Sequence, residues 1–461
     1  MTTLTNKVCQ GPAKAGPFSI LNGNGHKVID MTKNIVVVGG GAGGLELVSR
    51  LGRRFGKRNK AKITLVDRSA THVWKPLYHE LATGVLNSNL DEISFQGHAK
   101  NHHYRFVRGS MAGLDRDKRV IQLAPLHNEQ GDEVLPSREV AYDYLVIALG
   151  SIANDFGIEG VAEHCHFIDT AEQAETFRKA MLDEFLQIND ASSKEQRELA
   201  INIVGGGATG VELAAELTKA SEMLHDYGYT DLEHSRLKIR LIEMAERILP
   251  PLSEKVSRKV HEELEKLDVE IHTDTSISKA TEKGLYTNDD EYFSADLHVW
   301  AAGIKAPPLL TELGLSTQKN NTIKVQATMQ SIDDENIFAF GDCAHCPQGE
   351  DSAVPPRAQA AHQQAKHLAD NLAAALAGKP LTDFTFKDRG SLVSLADYDA
   401  VGRLMGGLAS RGVFMEGIMA RLAYASLYRM HQVTIHGFTR TALTMIADSF
   451  NYYLKPRMKL H

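Results

Sequence analysis

Cysteine is scarce in this chain, with four among 461 residues. That is too few for a disulfide framework and fits a reducing compartment. An excess of positive charge is also missing. Lys and Arg number 51 against 58 Asp and Glu, a net charge of -7. That balance argues against a general nucleic-acid binder, whose partner wants a basic face. No uncharged apolar run approaches the ~18 residues that a membrane-spanning helix needs. The chain is therefore expected to be soluble or to rest on a surface. Apolar residues at 43% and charged residues at 24% exclude a mostly disordered or fibrous chain. The length suggests about two to four domains. Residues 1–32 lack periodicity and the apolar core of a secretory signal, so they read as a loose extension, with Met31 an alternative start.

What the chain does contain is one device, twice. Residues 34–38 form a β-branched strand that runs into Gly39-Gly40-Gly41-Ala42-Gly43-Gly44. Gly39, Gly41 and Gly44 hold the GxGxxG spacing. A helix pattern follows in Leu45, Leu47, Val48 and Leu51, and a second strand, 63–66, ends at Asp67. The first glycine permits the tight turn, the second lets backbone approach a pyrophosphate, and the third lets helix and strand pack closely. The helix N-terminus offers N–H groups and a positive dipole end to phosphate. Asp67 can accept hydrogen bonds from a ribose diol. A lone GxGxxG is a weak signal, but strand, glycines, helix, strand and acid in order is a strong one.

The repeat has a strand at 199–204, then Gly205, Gly207 and Gly210, then a helix opening with Val211, Glu212 and Leu213. A strand at 237–242 ends in Glu243, farther from the glycines than the usual ~20 residues. The intervening stretch reads as an extended helix and a loop around Tyr227-Gly228-Tyr229. An acid at this place favours NADH, because the 2′-phosphate of NADPH would meet a like charge. Arg247, four residues on, is the residue that opposes this reading. Two dinucleotide units suggest two dinucleotides, one held and one exchanged, with FAD and a nicotinamide nucleotide the natural pair. Residues 144–150 and 298–303 read as buried strands that close each unit. Residues 336–344 deliver Gly341 and Asp342, and an aspartate there can bind flavin ribitol hydroxyls beside a helix starting near Pro356.

These residues resemble the two-dinucleotide-binding-domain flavoproteins and, more narrowly, type II NADH:quinone oxidoreductase, the single-subunit bacterial respiratory NADH dehydrogenase. The resemblance runs from about Lys33 to His461. It is strongest in Trp74-Lys75-Pro76, in Trp300-Ala301-Ala302-Gly303-Ile304-Lys305-Ala306-Pro307, and in Pro355-Pro356-Arg357-Ala358-Gln359-Ala360-Ala361-His362-Gln363. It continues in Leu427-Tyr428-Arg429-Met430-His431 and the last residues, 456–461. It implies non-covalent FAD, NADH as donor, a membrane quinone as acceptor, no proton pumping and a homodimer. It places the chain peripherally on the cytoplasmic face of the inner membrane. The cofactor contacts it implies are Gly39, Gly41, Gly43, Gly44, Asp67, Lys75 and Gly150 in the first unit. Gly205, Gly207, Gly210, Glu243, Ala302 and Gly303 follow in the second, then Gly341, Asp342, Ala358 and Gln359. The expected architecture is α/β, with two Rossmann-like units. Residues 33–155 and 306–385 form a split FAD domain around an NADH domain, 156–305, and a membrane-attachment region, 386–461, comes last.

Four residues are expected to carry chemistry. Gln359 and Gln363 are four apart and share a helix face with His362 nearby. Amide and imidazole groups there can hydrogen-bond a quinone carbonyl, and the resemblance puts the matching glutamines in the quinone pocket. Imidazole titrates near neutrality, which makes His362 a candidate proton donor. Glu212, in the first turn of its helix, suits the helix dipole and also a contact with the nicotinamide. Cys343 and Cys346 lie off the position of the redox pair in disulfide reductases and lack partners for a zinc site, so they read as packing. His102 and His103 read as surface residues. Arg53-Arg54-Phe55-Gly56-Lys57-Arg58 reads as a solvated helix end.

From Arg411 onward seven basic residues face two acids. Apolar residues recur at helical spacing through Met415, Ile418, Met419, Leu422, Leu427 and Met430, and again through Leu443, Ile446, Phe450, Tyr453 and Leu454, with a break at His436-Gly437. A basic amphipathic pair with edge tyrosines suits an anionic lipid surface. Two other readings stay open. One is a soluble NADH-dependent reductase of a disulfide, peroxide or ferredoxin. The other is a nucleotide-sensing module whose tail binds a protein.

Overall fold

The β-branched runs that open the two repeats become central strands of two parallel sheets. The computed structural model describes residues 20–21, 27–28, 32–86, 92–189, 198–227, 237–349, 352–396, 399–404, 413–454 and 458–459. Met31, Gly228, Tyr229, Arg411, Lys455 and Arg457 lie outside them. The first sheet begins with β1 (Lys33–Val38), β2 (Ala61–Asp67), β3 (Arg105–Arg108) and β4 (Tyr144–Ile147). The chain then leaves to build a second sheet from β5 (Leu199–Val204), β6 (Leu237–Ile242), β7 (Val269–His272) and β8 (Leu297–Trp300). It returns as β9 (Ile337–Ala339), which pairs with β4. The spatial orders are β9-β4-β1-β2-β3 and β7-β6-β5-β8, all parallel. Strands covered on both faces must be apolar throughout, and Ile35 to Val38 are all buried.

The helices follow the same logic. α1 (Ala42–Arg54) and α5 (Ala208–Asp226) leave the two glycine loops. α2 (Tyr78–Thr83), α3 (Phe95–His102), α4 (Ala171–Asn189), α6 (Glu254–Lys266) and α7 (Ala358–Leu376) complete the layers. α7 starts two residues after Pro356 with Arg357 as its N-cap residue, and it packs along α1. Antiparallel three-stranded sheets over 111–141 and 277–294 fill the connections from β3 to β4 and from β7 to β8.

The last region departs from the expected tail. It begins with an antiparallel sheet of β10 (Gly390–Leu395), β11 (Asp399–Leu404) and β12 (Val413–Glu416). Met415 therefore belongs to a strand, and the helix starts at Ile418. α8 (Ile418–His436) and α9 (Phe438–Leu454) meet at Gly437, whose positive φ of 84° suits a glycine break. Val393 and Leu395 of β10 join the core around α5, and Ile435 of α8 joins the core of the first sheet. Met458 is buried in the second core, and the Arg178 guanidinium donates to the Lys459 carbonyl. The tail is thus built into both units rather than appended to them.

His102 also departs from expectation. It is buried, and its ring stacks on His98 with centroids 3.9 Å apart. Both imidazoles lie on the buried face of α3, and burial pushes them down to about 4 and about 3 respectively. His103 is exposed at the helix end. The basic run at the end of α1 is only partly solvated. Arg53 donates to the Thr434 carbonyl of α8 (2.7 Å), and Arg54 pairs with Asp370 of α7 (2.7 Å).

Candidate active site

The two glycine loops have matching shapes. A Cβ on Gly39 would strike the Ala148 carbonyl, and one on Gly44 would strike the Gly39 carbonyl. A Cβ on Gly41 meets nothing within 4 Å. In the second loop, Gly205 is hemmed in by Ala301 and Gly210 by the Gly205 carbonyl, while Gly207 faces open space. Gly39 and Gly205 take φ of 104° and 110°, values that favour glycine. Four glycines therefore serve the fold. The middle one of each loop keeps clear the space where a pyrophosphate would approach α1 or α5. Gly43 has a packing role, since a Cβ there would press on the Phe340 ring.

The acids that close each unit behave alike. Asp67 accepts from the N–H groups of Gly40 (2.5 Å) and Ser69 (2.8 Å). Burial nonetheless raises its pKa above the ordinary aspartate value. Glu243 accepts from the N–H groups of Gly206 (2.6 Å) and Ala245 (2.8 Å). Arg247 is committed elsewhere. Its guanidinium donates to the carbonyls of Leu249, Pro250 and Leu252 and so holds that turn.

Lys75, Gly150, Gly341 and Asp342 converge. Lys75 Nζ donates to the Ser151 carbonyl (2.8 Å), and Ser151 Oγ donates to Asp342 (2.8 Å). The Gly341 N–H donates to Gln364 of α7. Ser151, Gly341 and Asp342 line a cavity of about 150 Å³. Ala302 and Gly303 lead into Ile304, Lys305 and Ala306, which line the same cavity, and a Cβ on Gly303 would press on the Phe156 ring. Cys343 and Cys346 are buried thiols without a disulfide, and burial pushes both up to about 11. Cys343 donates to backbone carbonyls of β4 and Phe340, which is a packing role.

Ala358 opens α7, and Gln359 and Gln363 share its face as expected. Their amides engage the backbone of 387–390. Gln359 donates to the Gly390 carbonyl and accepts from the Arg389 N–H, and Gln363 both donates to and accepts from the Lys387 backbone. His362 turns instead toward α1, where its Nδ1 lies 2.7 Å from Glu46. Beside them runs a groove of about 970 Å³, with His362, Gln363 and Lys366 on one wall and Met430, Val433 and Met445 on the other.

Glu212 stands in the second turn of α5, not the first, because the helix starts at Ala208. It accepts from the Ser394 N–H of β10 (3.1 Å) and bonds Tyr424 of α8. Burial pushes it up to about 8 and pushes the neighbouring His79, 3.5 Å away, down to about 4. At neutral pH both groups are uncharged.

Glu46 is the residue that the sequence reading missed. It lies two places after the last loop glycine, as Glu212 does, and it is 1% exposed. One oxygen meets His362 and the other meets His431 Nδ1 (2.9 Å). The repeated offset was the available signal.

Hollow loops, paired acids and a covered sheet in each unit define a flavoprotein oxidoreductase architecture for two dinucleotides. Residues 33–365 match the pyridine nucleotide-disulphide oxidoreductase family, and the chain belongs to it. Within that family the chain belongs with the type II NADH:quinone oxidoreductases. It is 44% identical to the Haemophilus influenzae protein of that name, over 93% of this chain and 100% of that one. It is 30% identical to Staphylococcus aureus counterparts, over 81% of this chain and 90% of those. The fold matches NDH2 of Plasmodium falciparum, solved in complex with NADH, with a TM-score of 0.77, 20% identity and coverage of 93% and 100%. It also matches the sulfide:quinone oxidoreductase of Aquifex aeolicus, with a TM-score of 0.68, 18% identity and coverage of 88% and 92%. The relatives favour the quinone-reductase reading over the soluble reductase and the nucleotide sensor.

Proposed function

We propose that this chain is a respiratory NADH:quinone oxidoreductase that does not pump protons. The observation that carries the reading is the pair of hollow glycine loops, each backed by an acid that accepts from a loop N–H, in a chain 44% identical over 93% of its length to a protein of that activity. Bound FAD would take two electrons and a proton from NADH and return two electrons to quinone. Gly39, Gly41, Gly44 and Asp67 would hold its adenosine side, and Lys75, Gly341 and Asp342 its flavin side. Gly205, Gly207, Gly210 and Glu243 would hold NADH. Glu212, uncharged in its buried place, is assigned to the nicotinamide side. Gln359 and Gln363 are assigned to the quinone side through the 387–390 segment that they fasten.

Attachment to the cytoplasmic face of the membrane is assigned to α9. Among the described residues no helix is long and apolar enough to cross a bilayer. Phe438, Leu443, Ile446 and Phe450 are all more than half exposed on α9. Such an apolar face on a basic tail suits insertion at a headgroup boundary. A homodimer completes the reading.

The test is anaerobic. NADH is added to detergent-purified protein while the flavin band is followed, and a short-chain quinone is then added. Bleaching by NADH and recovery with quinone are expected. A band that stays bleached would overturn the acceptor assignment. Replacing Leu443, Ile446 and Phe450 with serine should release the protein from anionic vesicles without loss of flavin. Unchanged vesicle binding would remove α9 from the membrane. Sedimentation in detergent would measure the dimer.

A further inference from the structure

A buried carboxylate in the middle of a dinucleotide-binding helix is costly unless it is paired. Glu46 sits among Leu45, Leu47 and Val48, all fully buried. It is held by imidazoles from two distant helices, His362 of α7 and His431 of α8. His431 Nε2 in turn lies 3.1 Å from His72 Nε2, and His72 Nδ1 lies 2.9 Å from the Gly40 carbonyl. The chain of contacts therefore runs from the groove, through α1, to the backbone of the first glycine loop.

The proton positions follow from its inner end. A carbonyl only accepts, so His72 Nδ1 donates to Gly40. Burial, joined by the charge of His431, pushes His72 down to about 3, so its ring is neutral and its Nε2 accepts. His431 Nε2 must then be the donor. The His431 Nδ1 contact with Glu46 therefore holds a proton beyond the count for neutral imidazoles and an ionised carboxylate. Burial raises the pKa of Glu46, but the hydrogen bonds of His362 and His431 outweigh it and hold the carboxyl below its ordinary value. Glu46 is thus the anion and His431 carries the spare proton. The other Glu46 oxygen accepts from His362 Nδ1–H. The His362 ring lines the groove, and its Nε2 has no hydrogen-bond partner among the described residues.

The charges facing this pair are mainly positive. Arg50 and Arg53 stand beside Glu46 on α1. Lys387, Arg389 and Arg429 line the groove with His362, and Lys366, His367 and Asp370 lie on its own helix. An imidazolium at His362 adds to that field, and the Glu46 carboxylate offsets it.

We propose that Glu46 is a positioning residue for proton supply to quinone, fixing His362 with Nδ1–H toward α1 and Nε2 toward the groove. The proposal rests on the quinone-reductase reading. NADH brings two electrons and one proton, while quinol carries two electrons and two protons, so one proton per turnover comes from the medium. In the proposed step the Nε2–H bond of imidazolium His362 breaks and an O–H bond forms on the reduced quinone oxygen. Neutral His362 is then reprotonated from groove water.

The experiment uses Glu46→Gln and Glu46→Asp holoenzyme in stopped flow, with the NADH and quinone half-reactions followed separately across pH. Glu46→Gln is expected to slow flavin reoxidation by quinone about 10²-fold, the usual worth of a positioned acid. The fall in quinone rate with rising pH, which the need for a protonated His362 gives the parent, should vanish, flavin bleaching by NADH should stay within twofold, and Glu46→Asp should recover most of the rate. A quinone step within twofold of the parent with an unchanged pH profile overturns the proposal. So does an equal fall in both half-reactions, which a purely structural role would give. A second readout is independent of turnover. In ¹⁵N-histidine NMR of the parent holoenzyme, one ring, assigned by its loss in His431→Asn, should be protonated on both nitrogens and become singly protonated in Glu46→Gln. A singly protonated His431 in the parent overturns the proposal. A parent protein that no quinone reoxidises overturns the functional reading instead, and the NMR result then decides the proton chain alone.

Discussion

Glu212→Gln offers a prediction with a sign and a size. The folded protein holds a proton on Glu212 up to about pH 8, whereas the unfolded chain releases it near 4.5. The folded pKa is the raised one. Stability from this group is therefore complete below pH 4.5 and is lost as pH rises toward 8. Each pH unit in that window costs about 1.4 kcal/mol, so roughly 4 kcal/mol is lost between pH 5 and 8. Glutamine keeps an acceptor for the Ser394 N–H and cannot ionise, so the variant should escape that loss. For a chain of this length the unfolding entropy is about 1 kcal/mol per kelvin. The parent should thus lose about 4 °C more in Tm than Glu212→Gln over that range. Melting curves without NADH, read from flavin fluorescence on release, measure it. Parallel Tm curves for the two proteins would refute a buried, protonated Glu212.

The glycines separate cofactor from fold. Gly41→Ala should fold with a near-parental circular dichroism spectrum yet purify with little flavin, whereas Gly44→Ala should lose stability, because only its Cβ strikes backbone. Flavin absorbance per protein beside a melting curve distinguishes them. Glu243→Ala should narrow the preference for NADH over NADPH about tenfold, the worth of one or two charge-assisted hydrogen bonds; the ratio of kcat/KM values checks it, and unchanged selectivity would remove Glu243 from the ribose site. Gln359→Ala frees the backbone of Arg389 and Gly390 and should slow the quinone half-reaction about tenfold while leaving the NADH half-reaction within twofold.

Local pattern carried much of this molecule. Runs such as residues 34–38 and 199–204 are legible because a strand buried on both faces must be apolar at every position. The loop glycines are legible because each meets a different steric demand. The competing role for Arg247 falls away only in three dimensions, where three backbone carbonyls take up its guanidinium. Glu46 was not read, although Glu212 at the same offset was. Its partners lie 316 and 385 residues away, so no neighbouring residue announces them. The sheet of β10 to β12 was hidden for a different reason, since strands of six, six and four residues leave little periodicity even with partners close in sequence. His102 looked like a surface residue because a histidine pair carries no sign of which ring turns inward.

α8 touches both nucleotide units with one face. Tyr424 meets the glutamate of the second unit, and His431, two helical turns on, meets that of the first. The helix is therefore a crosspiece whose position is registered simultaneously by both carboxylates. A chimera that exchanges this helix between relatives must carry both contacts to keep both half-reactions intact.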